Sequence, residues 1–228
     1  NPTHAEQGAF SDRPLALKQF FGQGHGLSGE GIQLSYLLPL PFFSQIEWGY
    51  WTPSVHEETG GAHGVEYKNR ITNTRLWNSF EVSKSQELEL GLNYLQGNPS
   101  ASAKDDKQTV MGIDVTFNQE LAGQLLKLQA ETFQAEYGEE GEAAAKQNGS
   151  YVSATYDITN EYQTGIRYDQ LGKHGDEGAE ITQLAYMLTR QLTETSKFRL
   201  QYNTGESIDN TIVAQFIFGM GPHSHVLQ

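Results

Sequence analysis

The sequence contains no cysteine, which excludes a disulfide framework, a cysteine nucleophile and cysteine-type zinc sites. This absence fits an oxidising compartment as well as any other. Positive charge is scarce, with 15 Lys+Arg against 28 Asp+Glu and a formal charge of −13. So acidic a chain cannot wrap a polyanion cheaply, and this argues against a general nucleic-acid binder. Long apolar runs are also missing, and none reaches the roughly 18–20 residues that a membrane helix needs. The chain starts at Asn1 without a leader-like stretch, as expected of a mature chain or a fragment.

What is present is a mixture of 24 Gly, 11 Tyr, 11 Phe and 3 Trp among many Gln, Asn and Thr. Such usage suits strands and turns. It also suits a transmembrane β-barrel, where only every second strand residue faces lipid. The dominant period is two. Leu88, Leu90, Leu92 and Tyr94 alternate with Glu87, Glu89, Gly91 and Asn93, and Met111, Ile113, Val115 and Phe117 alternate with Gly112, Asp114, Thr116 and Asn118. Ile166 and Tyr168 alternate with Arg167 and Asp169 in the same way. Successive strand side chains point to opposite faces, so each segment has an apolar and a polar face.

This pattern predicts eleven strands, at 31–40, 43–52, 74–83, 86–96, 109–118, 124–136, 150–159, 162–170, 180–190, 196–204 and 210–220. A helix over 119–146 is the main local rival, and 139–147 is read as able to carry a helical turn. Links between the strands alternate short and long through the chain. Short ones fall near 41–42, 84–85, 119–123, 160–161 and 191–195, long ones at 53–73, 97–108, 137–149 and 171–179, and a medium one at 205–209. Outer-membrane barrels sort their connections this way, with tight periplasmic turns and longer outside loops. Aromatics near strand ends (Phe42, Phe43, Trp48, Tyr50, Trp51, Tyr162) fit interfacial girdles.

The expected fold is therefore an all-β, antiparallel transmembrane β-barrel of the outer membrane, with about 11–12 strands in this chain. A soluble antiparallel barrel or sandwich, which also alternates, is the competing architecture. Eleven strands with a periplasmic last end place the first strand's start outside, whereas bacterial barrels have even strand numbers. Either residues 15–21 supply a twelfth strand or strands upstream are missing.

If the apolar face meets lipid, the lumen receives Glu47, Glu81, Glu87, Glu89, Asp114, Glu131, Asp157 and Asp169, opposed by Arg75, Lys127, Arg167, Lys197 and Arg199. Charges do not sit unpaired in a dry interior, so this lining is either wet or extensively paired. A wet lumen is a channel whose acidic excess favours cations, while a paired ladder merely braces the wall. Arg167 and Asp169 point the same way and can pair with each other or with a neighbour.

The motif order resembles a known family. Asn1-x-x-His4, Phe10-Ser-Asp-Arg-Pro-Leu15, Phe20-Phe-Gly22, Glu30-Gly-Ile-Gln-Leu-Ser35 and Leu38-Pro-Leu-Pro41 are similar to the middle of a family of Gram-negative porin-like outer-membrane proteins. That family is distantly similar to the phosphate-selective (polyphosphate) porins. Gly165-Ile-Arg-Tyr-Asp169 and Gln215-Phe-Ile-Phe-Gly-Met-Gly-Pro-His223 look like its later strands. The resemblance implies a passive diffusion pore with no enzymatic activity and no cofactor. It implies a long loop, residues 1–30, folded into the pore, with His4, Asp12, Arg13, Lys18 and His25 as constriction contacts, against the competing reading of a surface loop in which Asp12-Arg13 is a local turn pair. It also implies barrel strands over 31–220, a tail at 221–228, and about five upstream strands completing a sixteen-stranded, trimer-forming barrel. The implied partners are outer-membrane lipid, small solutes, and further copies or another chain completing the wall. The basic ladder that gives the polyphosphate porins anion selectivity has no counterpart here.

Two other sets bear on alternative functions. His56 with Glu57, Glu58 and His63 shares one long loop, and His223-x-His225 lies near the C-terminus. These groups are chemically able to hold Zn²⁺ or Cu²⁺, or are simply solvated loops. Asp105-Asp106 and His174-x-Asp176 loosely fit a barrel protease with a general base and an orienting acid. No serine-hydrolase elbow, phosphate-binding loop or dinucleotide fingerprint is present. A metal-linked receptor, a barrel protease and a structural barrel bound to partner proteins therefore stand as alternatives to the pore.

Overall fold

The computed structural model describes residues 8–21, 29–53, 70–98, 107–138, 145–175 and 178–219. It contains a single short helix, α1 (Leu15–Phe21), among these residues. Eleven strands follow: β1 (Gly29–Leu37), β2 (Phe43–Pro53), β3 (Ile71–Ser83), β4 (Gln86–Gly97), β5 (Lys107–Leu121), β6 (Gln124–Gly138), β7 (Ala145–Asp157), β8 (Tyr162–Leu171), β9 (Ile181–Thr193), β10 (Ser196–Glu206) and β11 (Thr211–Phe218). All pair antiparallel with their chain neighbours in one sheet of order β1 to β11. Strands β1 and β11 form its two edges.

In such a meander, alternate links lie at opposite ends of the strands. Links 38–42, 84–85, 122–123, 158–161 and 194–195 share one end, and 54–70, 98–106, 139–144, 172–180 and 207–210 share the other. The four longest links thus gather at one end, while 207–210 at that end is as short as 158–161 at the other. The tightest links are two-residue hairpins. In the β5–β6 turn both Ala122 (φ 51°) and Gly123 (φ 80°) have positive φ, the geometry whose twist matches paired strands.

Three expectations are corrected. Residues 15–21 form a helix rather than a twelfth strand. Apolar residues spaced by four (Ala16 with Phe20, Leu17 with Phe21) and helix-favouring Leu, Ala, Lys and Gln outweigh the short alternation at Leu15 and Leu17. Residues 145–147 are strand rather than a helical turn, tied across by a Lys146–Glu136 ion pair of 2.7 Å. Finally, β1 stops at Leu37 instead of residue 40. Pro39 and Pro41 have no N–H to donate, and the Leu38 amide closes the link by donating to the Ser44 carbonyl at 2.8 Å. The rival helix over 119–146 is replaced by the long strands β5, β6 and β7.

The pairing register gives the two faces of the sheet opposite character. One face carries Leu34, Trp48, Leu76, Leu92, Ile113, Val152, Ile166, Tyr186, Leu200 and Ile212 and their like, joined across neighbouring strands. Ten strands expose at least one large apolar side chain there, from Ile32 (63%) on β1 to Ile212 (74%) on β11, and β3 exposes Val82 (57%) at the bulge near its end. The opposite, inner face holds the buried groups, including Arg167, Asp169, Arg199, Gln201 and Asn203. Residues 8–21 lie against this inner face rather than the apolar one.

Candidate functional site

The site is the inner face and the segment seated on it. Cross-strand register puts Glu47, Arg75, Glu81, Glu87, Glu89, Asp114, Lys127, Glu131, Asp157, Arg167, Asp169, Lys197 and Arg199 all on this face. Their surroundings differ sharply between β2–β6 and β8–β10.

On β8–β10 the basic side chains are used to hold the segment. The Arg167 guanidinium is 2% exposed. It donates through Nε to Asp169 Oδ2 (2.7 Å), through Nη1 to the Asp12 carbonyl (2.9 Å) and through Nη2 to Asp12 Oδ1 (3.1 Å). It also lies 4.8 Å from the centre of the Phe10 ring, a cation–π contact. On β10, Arg199 donates to the backbone carbonyls of Phe10 (2.9 Å) and Gly8, and to Gln215 Oε1 (3.3 Å). Between them Gln201, fully buried, donates to Asp12 Oδ1 (2.6 Å) and to Asn203 Oδ1 (2.8 Å), and accepts the Ser11 amide (2.7 Å). Such dense satisfaction is required here, because an unpaired charge at this depth costs several kcal/mol.

The segment's own residues complete the network. Lys18 Nζ donates to Asp12 Oδ2 at 2.8 Å from the next turn of chain. Asp169 Oδ1 accepts the Leu15 amide (3.1 Å), so the wall supplies a partner to one of the four N–H groups that a helix start leaves open. Burial by itself pushes the Asp12 carboxyl up. Arg167 and Lys18, with hydrogen bonds from Lys18 and Gln201, outweigh it and hold that carboxyl below its ordinary range. Burial also pulls the Arg13 guanidinium down, while Glu131 on β6 and Tyr151 on β7 pull in the opposite direction.

Helix α1 carries the segment on toward β6. Ala16 and Phe20 are fully buried in an apolar cluster with Ile71, Val110, Phe133, Ala135 and Leu171. Phe133 receives Phe20 and Phe21 edge-on, at centroid distances of 6.2 and 5.5 Å. Gly149 on β7 is what lets the helix approach. A Cβ there would stand 2.7 Å from Ala16 Cβ and 2.9 Å from Phe20 Cε2, closer than real side chains pack.

On β2–β6 the inner face is different. Arg75 and Asp114 pair at 2.9 Å, and Asn93 donates to the second Asp114 oxygen at 2.6 Å. The other carboxylates are held by neutral donors. Glu89 accepts from Trp77 Nε1 (2.9 Å), Glu87 from Ser79 Oγ (2.7 Å), and Glu47 from Gln45 (2.8 Å) and Gln33 (3.4 Å). Glu81 and Glu87 stand directly opposite each other across β3 and β4. They line a cleft of about 720 Å³ near the short links, with Phe43, Asn118 and Glu120.

Several expected site residues fall outside the part of the chain that the structure describes. His4, His25, His56, His63, His223 and His225, with Asp105, Asp106 and Asp176, lie outside the described residues. His174 is described, and its ring packs against Tyr137 at 4.4 Å. Among the described residues, no group of three or more His, Asp or Glu is arranged to hold a metal. Two members of the expected aromatic girdle are reassigned. Phe43 and Trp51 are on the inner face, where Phe43 meets Trp77 edge-on at 4.9 Å and Trp51 donates to Asn73. Trp48, Tyr50 and Tyr162 have the outer register.

Sequence reasoning missed Gln201, Phe10 and Gly149. Alternation between Leu200 and Tyr202 places Gln201 inward, but nothing local marks it as the partner of a residue 189 positions away.

No family model matches the sequence, and no solved structure matches it. A protein of Aquifex aeolicus (strain VF5) described only as uncharacterized is 24% identical over a 267-position alignment. That alignment takes in 98% of this chain and 56% of the relative, so the chain spans little more than half the length of the curated relative it matches.

Proposed function

We propose that this protein is a porin-like channel of the Gram-negative outer membrane, passing small solutes by diffusion through a polar lumen. One observation carries the reading. A single sheet presents exposed apolar side chains on one face of nearly every strand, and a charged, segment-bearing surface on the other. In water such an apolar face is a liability, since soluble monomers rarely expose contiguous patches above a few hundred Å². In lipid it is the solvated face, and a closed wall satisfies every backbone group internally. Strand lengths of 8 to 15 residues suit a tilted crossing of the bilayer.

Closure follows from the same physics. Open sheet edges are not tolerated in hydrocarbon, so β1 and β11 are paired in the membrane. Both are odd-numbered in an up-and-down order and run the same way, so pairing them together gives a parallel junction. Antiparallel closure adds an odd number of strands, from further chain or another chain. Segment 8–21 then lies inside the lumen and narrows it, with Asp12, Arg13 and Lys18 near the constriction.

The test is reconstitution. Full chain refolded from urea into phosphatidylcholine vesicles is expected to shift its gel migration on heating and to resist protease. The vesicles are expected to swell in small sugars at rates that fall with sugar size. A β-rich monomer stable in detergent-free buffer, or folded protein whose vesicles do not swell, would overturn the proposal.

A further inference from the structure

Resting on the pore reading, we propose that ions move along the β2–β6 side of the lumen, and that this lane favours cations because segment 8–21 withdraws the arginines of β8–β10 from it. The inner charges are sorted by strand. Arg167 and Arg199 are each 1% exposed and are bonded to residues 8–12. Within the network on β8, the charges of Arg167 and Lys18 are matched by those of Asp12 and Asp169. Around β8 the face is covered and electrically balanced, while Arg199 on β10 is buried under the carbonyls of Phe10 and Gly8 rather than presented to the lumen.

The other half keeps its negative charge. A carboxylate paired with Lys or Arg presents little net field, whereas one held by an amide, hydroxyl or indole keeps its full charge. Glu47, Glu87 and Glu89 are of the second kind. Glu87 is exposed and Glu47 and Glu89 are half-buried, so solvent reaches all three. Glu81, directly opposite Glu87, adds like charge that a passing cation relieves. These positions run from the middle of β2, where Glu47 faces Arg75 across the strands, to the short-link cleft, where Glu81 and Glu87 share the lining with Lys84, and on β2, β3 and β4 the inner carboxylates outnumber the cations. A ring or track of carboxylates lowers the energy of cations in a pore and raises that of anions.

The experiment is the reversal potential of single channels in planar bilayers under a tenfold KCl gradient, first for the native chain. A cation-signed potential is expected. In the Glu47→Gln/Glu87→Gln/Glu89→Gln triple variant, the K⁺/Cl⁻ permeability ratio should fall by about threefold or more, with open steps retained. Open channels with an anion-signed or zero potential in the native chain overturn the cation lane and leave the pore standing. So does a triple variant with native selectivity. A silent bilayer from protein shown to be folded overturns the pore reading, and this inference with it.

Discussion

Changing Asp12 to Asn tests whether the inner segment is held by charge or merely packed. Asp12 accepts from Lys18 at 2.8 Å, Gln201 at 2.6 Å and Arg167 at 3.1 Å, with its side chain 20% exposed. Hydrogen bonds to a charged group contribute about 1.5–3 kcal/mol each. The substitution does not lose all of that. Asn keeps an acceptor oxygen, Lys18 is 27% exposed and can return to water, and Arg167 retains Asp169 and the Asp12 carbonyl. A net loss of about 2–3 kcal/mol remains, which is about 30- to 150-fold in the equilibrium for lifting the segment off the wall. Hydrogen exchange reads this directly, because the Ser11 and Leu15 amides donate to wall side chains, Gln201 and Asp169. Their exchange in Asp12→Asn should quicken by that factor at pH 7, while the β4–β5 ladder is unchanged. The pH dependence has a definite sign. A carboxyl whose folded pKa is depressed contributes stability above its unfolded value, near 3.9, and loses it as pH falls through the folded value. Native and variant protection should therefore start to converge near pH 4 and meet only below the depressed folded value. Equal protection at pH 7 would refute the reasoning and leave the apolar seat of α1 as the only anchor.

Four other outcomes are expected. Gly149→Val should crowd Ala16 and Phe20, cost about 1–3 kcal/mol, and quicken exchange over 15–21 without melting the sheet. Ala122→Asn should raise the urea midpoint by a stability gain of about 0.5–1 kcal/mol, because Asn adopts positive φ with less strain than Ala. Leu200→Arg, mid-strand on the apolar face, should weaken folding into vesicles by about 2–4 kcal/mol, whereas a water-facing position would show almost no change. Removing the Arg75 side chain as Arg75→Met should raise K⁺ preference in single-channel recordings, because Asp114 then joins the uncompensated carboxylates.

The sheet was legible because alternation is a local signal. In β8, Ile166 and Tyr168 point one way and Arg167 and Asp169 the other, whatever the rest of the chain does. The Arg167–Asp169 contact was legible for the same reason, two residues apart on one face. Helix α1 was not. Its seven residues satisfy two periods, and the four-residue spacing that favours the helix is reinforced by Gly149 clearing space and Asp169 taking an open helix amide, which no local reading shows. Phe43 and Trp51 were misplaced because aromatic residues near strand ends suggested a girdle, whereas strand parity turns both inward. Nor does any local pattern connect Asp12 to Arg167, 155 residues on.

That separation also orders assembly. Each strand pairs with its chain neighbour, so every ladder contact closes a loop far shorter than the separations that join residues 8–12 to β8 and β10. The bonds from Arg199 to Phe10 and Gly8 span 189 and 191 residues. Closure entropy rises only logarithmically with span, so distance alone does not forbid these contacts. They nevertheless cannot form before β10 is in place. The β10 contacts of residues 8–12 are thus late in folding, whereas α1 can dock once β6, β7 and β8 are in place. A chain stalled before β10 would have most of its wall, with the inner segment seated at its helical end alone.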